Sequence, residues 1–273
     1  MWAYLHHLGL QSADPGALAA FYRDAMGMTC GAGQGGMTIC AARDRRIVIS
    51  AGAPRTLAFA AYAFEDPEGL ARLRHRLEAA DVPLLSSPSP LFADGAFAVA
   101  DPDGTRIVFG LDAAPTEAPT ERPARLQHFV MASTDCGRVA RFYEKVLGFT
   151  VSDRVYRADG SLTACFLRST DEHHSFAVFQ APHRGFDHHC YETSGWMDIR
   201  DWGDHFARQR IPVVWGPGRH GPGNNLFIFV DDPDGNKVEL SAELEIVPKG
   251  REAGAWPHEE RTLNLWGRAP LRS

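Results

Sequence analysis

A chain of 273 residues, 44% hydrophobic and 23% charged, has the composition of one large or two ordinary globular domains and not that of a disordered protein. Its formal net charge is −6 with lysine and arginine scattered, so nucleic acid, anionic membranes and polyanionic substrates are poor partners. No apolar run reaches bilayer length, no basic region with an apolar core opens the chain, and five cysteines (Cys30, Cys40, Cys136, Cys165, Cys190) without close pairing predict free thiols in the cytoplasm.

In chain order, an apolar strand over residues 4–10 leads into a helix with Asp14 as N-cap, Pro15 in its first turn and Leu18, Phe21, Tyr22 and Ala25 on one face. Gly27 follows as the stop. A strand over 57–64 precedes a second helix carrying Leu70, Leu73 and Leu77, and Val82-Pro83 ends it. The turn Asp101-Pro102-Asp103-Gly104 then folds back into Arg106-Ile107-Val108.

All of this is then written a second time. Leu5 to Ser12 falls on Leu126 to Ser133 and, at a constant offset of about 121 residues, Asp14 falls on Asp135, Phe21-Tyr22 on Phe142-Tyr143 and Gly27 on Gly148. Strands are predicted over 149–156, 162–167, 175–180 and 187–193, and a helix follows with Ile199, Trp202 and Phe206 on one face. Leu226 to Val230, the turn Asp232-Pro233-Asp234-Gly235 and Lys237 to Leu240 close the copy as a hairpin. Alternation there puts Lys237 and Glu239 on one face and Val238 and Leu240 on the other. The expected organisation is a module over 1–112, a proline-containing linker over 113–123, a second module over 124–245 and a tail over 246–273 whose Trp256, Leu263 and Trp266 form a lid.

Chemistry concentrates in the second copy. His128 interrupts its opening strand, His173-His174 open a strand, His188-His189 lie in another, His220 sits in a Gly/Pro-rich loop and Glu239 is on the last strand. The first copy keeps only His7 opposite His128. It has Val108 opposite Glu239 and the apolar run around Phe59 and Ala60 opposite the His188-His189 pair. Two imidazoles and one carboxylate with open positions suit non-haem Fe(II), and zinc tolerates the same donors.

The stretch GPGRHG…PDGNKVEL, with nineteen residues from His220 to Glu239, resembles the vicinal oxygen chelate superfamily and, within it, the two-domain type I extradiol ring-cleaving dioxygenases. The resemblance spans about residues 1 to 245. It implies an α+β fold of two tandem modules, each of paired βαβββ units, with curved mixed sheets around a metal. It implies His128, His189 and Glu239 as ligands of Fe(II), with Mn(II) or Zn(II) as alternatives. His174 would be the acid/base residue, and His220, Phe227 and Phe229 would lie against the substrate. The implied substrates are a small aromatic diol and O2, and the implied assembly is a homo-oligomer. The chain departs from the family at Phe229, where a tyrosine usually donates to the substrate. Rival readings on the same scaffold are a glyoxalase-like metal-dependent isomerase or lyase and a metal-free protein that binds an aromatic compound.

Overall fold

The computed structural model describes residues 2–112 and 121–271, so most of the expected linker, residues 113–120, lies outside the described residues. Module one runs β1 (Tyr4–Ser12), α1 (Pro15–Asp24), β2 (Thr29–Ala32), β3 (Thr38–Ala42) and β4 (Arg45–Ala51). It continues with β5 (Thr56–Phe64), α2 (Pro67–Ala79), β6 (Leu85–Ser86), β7 (Phe97–Ala100) and β8 (Arg106–Leu111). Its eight strands form one mixed sheet in the order β2-β3-β4-β1-β5-β8-β7-β6. The two βαβββ halves meet where β1 and β5 pair antiparallel, and each half closes on itself by a parallel pair, β1 with β4 and β5 with β8. Crossovers of that kind need a covering helix, and α1 and α2 supply it.

Module two repeats the plan with β9 (Arg125–Ser133), α3 (Cys136–Arg141), β10 (Thr150–Tyr156), β11 (Leu162–Arg168) and β12 (Phe176–Gln180). Then come β13 (Gly185–Thr193), α4 (Trp196–Arg208), β14 (Trp215–Arg219), β15 (Leu226–Asp231) and β16 (Lys237–Ala242). The tail adds β17 (Gly254–Pro257), parallel to β10 at the sheet edge, and a single helical turn, α5 (Glu260–Leu263).

Local chemistry explains the repeated boundaries. Asp14 and Asp135 accept from the backbone N–H of Ala17 and Arg138 and so start α1 and α3, while Asp66 caps α2 through Gly69. In module two the helix widens after Arg141 into a π-helical run, Phe142–Leu147, which Gly148 ends at φ 86°, a conformation that favours glycine. The two Asp-Pro-Asp-Gly turns are built alike. Asp101 accepts from the backbone N–H of Asp103 and Thr105, and Asp232 accepts from those of Asp234 and Asn236.

The helices of both modules share one apolar core, in which Tyr22, Tyr62, Leu77 and Phe109 pack with Tyr143, Phe176, Trp202 and Phe206. Buried polar links cross that core. Arg45 donates to the carbonyls of Arg122 and Ala124, His205 Nε2 lies 2.9 Å from the Ala25 carbonyl oxygen, and Tyr62 donates to the Ser175 carbonyl. The concave face of each sheet carries its own smaller cluster, away from the shared core.

One expectation from the cysteines is corrected. Cys30 and Cys40 oppose each other in the register of β2 and β3 and form a disulfide, while Cys136, Cys165 and Cys190 are free and buried. Ten residues of separation do not announce a pair; the hairpin does. Among the described residues no helix is long and apolar enough to cross a membrane.

Tyr22 Oη lies 3.1 Å from His189 Nε2, and both side chains are buried in the joint core. Tyr22→Phe leaves that imidazole nitrogen unsatisfied and is expected to lower the unfolding free energy by about 1–3 kcal/mol in denaturant titration. An unchanged midpoint would show that the bond contributes nothing.

Candidate metal centre

Three strands of module two aim side chains at one point on the concave face. His128 comes from β9, His188 from β13 and Glu239 from β16; one ligand atom from each lies within 4.8 Å of the other two. His128 Nε2 is 3.3 Å and His188 Nε2 3.4 Å from Glu239 Oε2, and His220 Nε2 is 3.5 Å from Oε1. Asn225 donates to Oε1 at 3.2 Å, whereas among the described residues no donor meets Oε2 with hydrogen-bond geometry. Burial works against ionisation of Glu239, yet the surrounding imidazoles outweigh it and hold the carboxyl well below the usual carboxylate range. A buried anion with an orphan oxygen between two imidazoles fits a cation.

The imidazoles are prepared for the same task. Burial pushes His128 below the usual histidine range, against the pull of Glu239, which favours the neutral form that binds metals. For His188 burial acts in the same sense, but Asp187 and Glu239 overturn it and raise the group. Asp187 Oδ1 lies 2.5 Å from His188 Nδ1, and Gln127 Oε1 lies 2.5 Å from His128 Nδ1. Such bonds fix the ring and leave Nε2 for the ion.

The fold brings His188, and not His189, together with His128 and Glu239. Along β9 and β13, Phe186 pairs with Met131 and His188 with Val130, so Asp187 is an extra residue in a β-bulge. The bulge turns Asp187 towards the His188 ring. His188 is the register partner of Lys237, on the face of Glu239, while His189 pairs with Val238 and faces the core and Tyr22. The Asp-His-His sequence, with an acid beside the pair, was the available signal.

His174 and His220 both line the pocket. The His174 ring lies tilted, 4.3 Å from the His128 ring, and burial, with His128 and His173 beside it, drives it well below the usual range. Phe229 pairs with Glu239 across β15 and β16 and sets its ring edge-on to His188. Phe227 is not on the pocket wall: it lies flat against His220 at 4.0 Å and supports that ring. Val130, Phe166, Phe179 and Trp215 complete an apolar wall, and the tail closes one side with Thr262 and Leu263. The tail is bolted there by Thr262 O accepting from Gly221 N, by Leu265 N donating to Arg219 O, and by the Leu263 carbonyl 2.5 Å from His220 Nδ1.

Among the described residues module one has no such centre. His7 is buried against His6 and Ser89, Val108 stands where Glu239 does, and Phe59 lies so close over Gly9 that any side chain there would collide with it.

The sequence model of the Glyoxalase/Bleomycin resistance protein/Dioxygenase superfamily matches residues 4–109 and 125–240, one match per module. The chain belongs to this superfamily. Among characterised members, it is 27% identical to the 3-methylcatechol 2,3-dioxygenase of Pseudomonas putida over 86% of the chain and 88% of the relative. It is likewise 27% identical to the biphenyl-2,3-diol 1,2-dioxygenase of Paraburkholderia xenovorans over 98% and 95%. A shorter match, 30% identical, spans 53% of the chain but only 45% of metapyrocatechase 2 of Cupriavidus necator. Two solved superfamily folds superpose closely. Homoprotocatechuate 2,3-dioxygenase from Brevibacterium fuscum does so with TM-score 0.84 at 20% identity over 96% of this chain and 78% of that one. The Mn(II)-bound glyoxalase from Novosphingobium aromaticivorans does so with TM-score 0.83 at 24% identity over 97% and 91%.

Beneath the site, Glu192 of β13 accepts from Ser241 Oγ and from Leu244 N, and Cys190 donates to the same Ser241 hydroxyl. Burial pushes the Glu192 carboxyl up to about 7. The folded protein therefore favours its protonated form: the stabilisation is complete below about pH 4.5 and is lost as the pH rises through about 7. Denaturant unfolding across that window should show a smaller fall in stability for Glu192→Gln than for the wild type. Equal slopes would refute the shift.

Proposed function

We propose that the chain is an Fe(II)-dependent extradiol dioxygenase that cleaves the ring of a catechol-type diol beside its hydroxyls, with His128, His188 and Glu239 as the ligands. The observation that carries this reading is the buried Glu239 carboxylate, one oxygen unpaired, held between the imidazoles of His128 and His188 at the floor of an apolar pocket. Support comes from relatives named as dioxygenases of 3-methylcatechol and biphenyl-2,3-diol, which match nearly end to end. A metal held by His128, His188 and Glu239 would supply Lewis-acid and redox chemistry for the diol and O2. One ring carbon–carbon bond breaks and both atoms of O2 enter the product, so no outside reductant is consumed.

The chain's own residues do the rest. His174, neutral and beside the diol, takes a hydroxyl proton and later returns it. His220, its Nδ1 bonded to the Leu263 carbonyl, turns Nε2 towards the substrate side of Glu239. Val130, Phe166, Trp215 and Leu263 confine the aromatic ring and exclude water, and the tail acts as the lid of the pocket. The reading places the enzyme in the cytoplasm as a homo-oligomer.

Metal analysis of anaerobically loaded protein, followed by oxygen uptake with a catechol panel, tests the proposal. About one Fe(II) per chain and ring-cleaved product are expected. Two metals per chain, or isomerase activity without oxygen uptake, would favour a glyoxalase-like enzyme. His188→Ala is expected to lose the metal, whereas His189→Ala should keep it and lose stability instead; the reverse pattern would overturn the ligand assignment.

Phe229 cannot donate a hydrogen bond, and a bond to a charged group is worth roughly 1.5–3 kcal/mol. Phe229→Tyr is therefore expected to raise turnover of unsubstituted catechol by about tenfold or more in steady-state kinetics. A fall would show that the ring is needed against an apolar substituent.

A further inference from the structure

We propose that the diol taken by this site is uncharged and bears an extended apolar substituent, which lies in a trough running along the concave face away from the metal centre. This rests on the reading of the site as that of a diol-cleaving enzyme. Strand register lays the trough out. Side chains alternate faces along β9, so Val130 and Ala132 follow His128 on the concave side at roughly 7 Å per step. Across β12, β11 and β10 the partners of Val130 are Ala177, Phe166 and Asp153, and those of Ala132 are Phe179, Ala164 and Val155. Two rows of side chains thus step away from the ligands, with alanine in the middle of each. The pocket reaches the first row at Val130 and Phe166 and ends at Phe179, Thr262 and Leu263; a second cavity starts from those same three side chains and continues over Ala164 and Val155.

The partition between the two spaces has one yielding member. Phe179 is fixed on an interior strand and Thr262 donates to the Pro257 carbonyl at 2.6 Å, whereas Leu263 is only partly buried and belongs to the tail. A substituent that displaces the Leu263 side chain joins the cavities. Charge then selects what enters. Among the described residues neither cavity has a lysine or arginine on its wall. At the far end an anion would meet Glu259 as well as His258, and the amide of Gln180 is engaged by Cys136 N and Thr134 O. Asp153, in the first row, already takes its donors from Arg251, Gly254 and Trp256 of the tail. A carboxylate on the substituent would be desolvated without a cation to pair with, whereas each buried methylene is worth roughly fourfold in affinity.

The test is titration calorimetry of the full-length protein, loaded with Zn(II) so that nothing is turned over, against catechol and catechols carrying a propyl, phenyl or carboxymethyl group. Propyl- and phenylcatechol should bind about tenfold or more tighter than catechol, and carboxymethylcatechol no tighter than catechol. Ala164→Phe fills the second row and should remove most of the gain for the propyl and phenyl compounds with metal content unchanged. Leu263→Arg, which needs no extra room in the sheet should Ala164→Phe not fold, places a cation over the trough and should improve carboxymethylcatechol about tenfold or more relative to propylcatechol. Carboxymethylcatechol bound as tightly as propylcatechol by the wild type, or affinity ratios indifferent to both variants, would overturn the proposal. Tight binding of propylcatechol without oxygen uptake by the Fe(II)-loaded protein would overturn the dioxygenase reading and leave the trough standing.

Discussion

A carboxylate buried with one oxygen unpaired is the constraint on which module two depends. An isolated charge in such surroundings costs several kcal/mol unless it is compensated, and the nearby imidazoles cannot all be protonated without repelling one another. Among the described residues only Asn225 bonds it directly. The sheet makes the arrangement possible because β16 is an interior strand between β15 and β13, so Glu239 is covered on both sides and faces His128 and His188 across its neighbours. Asp187 and Gln127 then fix the far nitrogens of those rings, and the remaining electrostatic need is for a cation.

The first module shows what the same scaffold does without that need. Val108 replaces the carboxylate, Phe59 occupies the place of His188, and Phe92 lies close over Gly110 as Phe59 does over Gly9. Aromatic rings on the concave face exchange a polar, hydrated cavity for dispersion contacts and apolar burial. His7 survives because it is satisfied locally by His6 and Ser89. The two copies still depend on each other, since the helices share one core and Tyr22 of the first reaches His189 of the second.

Much of this is legible in the sequence because the repeat is. Strand and helix positions follow from caps, glycine stops and two matching Asp-Pro-Asp-Gly turns, and the asymmetry between Glu239 and Val108 points to one site in two modules. What the residues do not disclose is register. Alternation along a strand gives the right face only when no residue is inserted, and the bulge at Asp187 shifts the parity, so the fold presents His188 where the family resemblance implies His189. The same limit hides the Cys30–Cys40 disulfide, which depends on the pairing of β2 with β3, and places Phe227 behind His220 instead of on the pocket wall.

The tail carries the last step of the argument. It leaves the Glu239 strand, pairs β17 with β10 at the far edge of the sheet and returns over the pocket, so one segment touches both sides of the site. Its anchorage is mostly polar: backbone bonds from Gly221 and Leu265, the Leu263 carbonyl at His220, and the three donors around Asp153. Its apolar contribution is modest, with Trp256 and Leu263 only partly buried against the sheet and Trp266 largely exposed. Segments held by few apolar contacts open at lower free energy than the core beneath them. Lifting this one would expose the pocket, release His220 from the Leu263 carbonyl and take donors from Asp153 in a single motion. Access to the pocket and the orientation of His220 are thereby tied to the same stretch of chain.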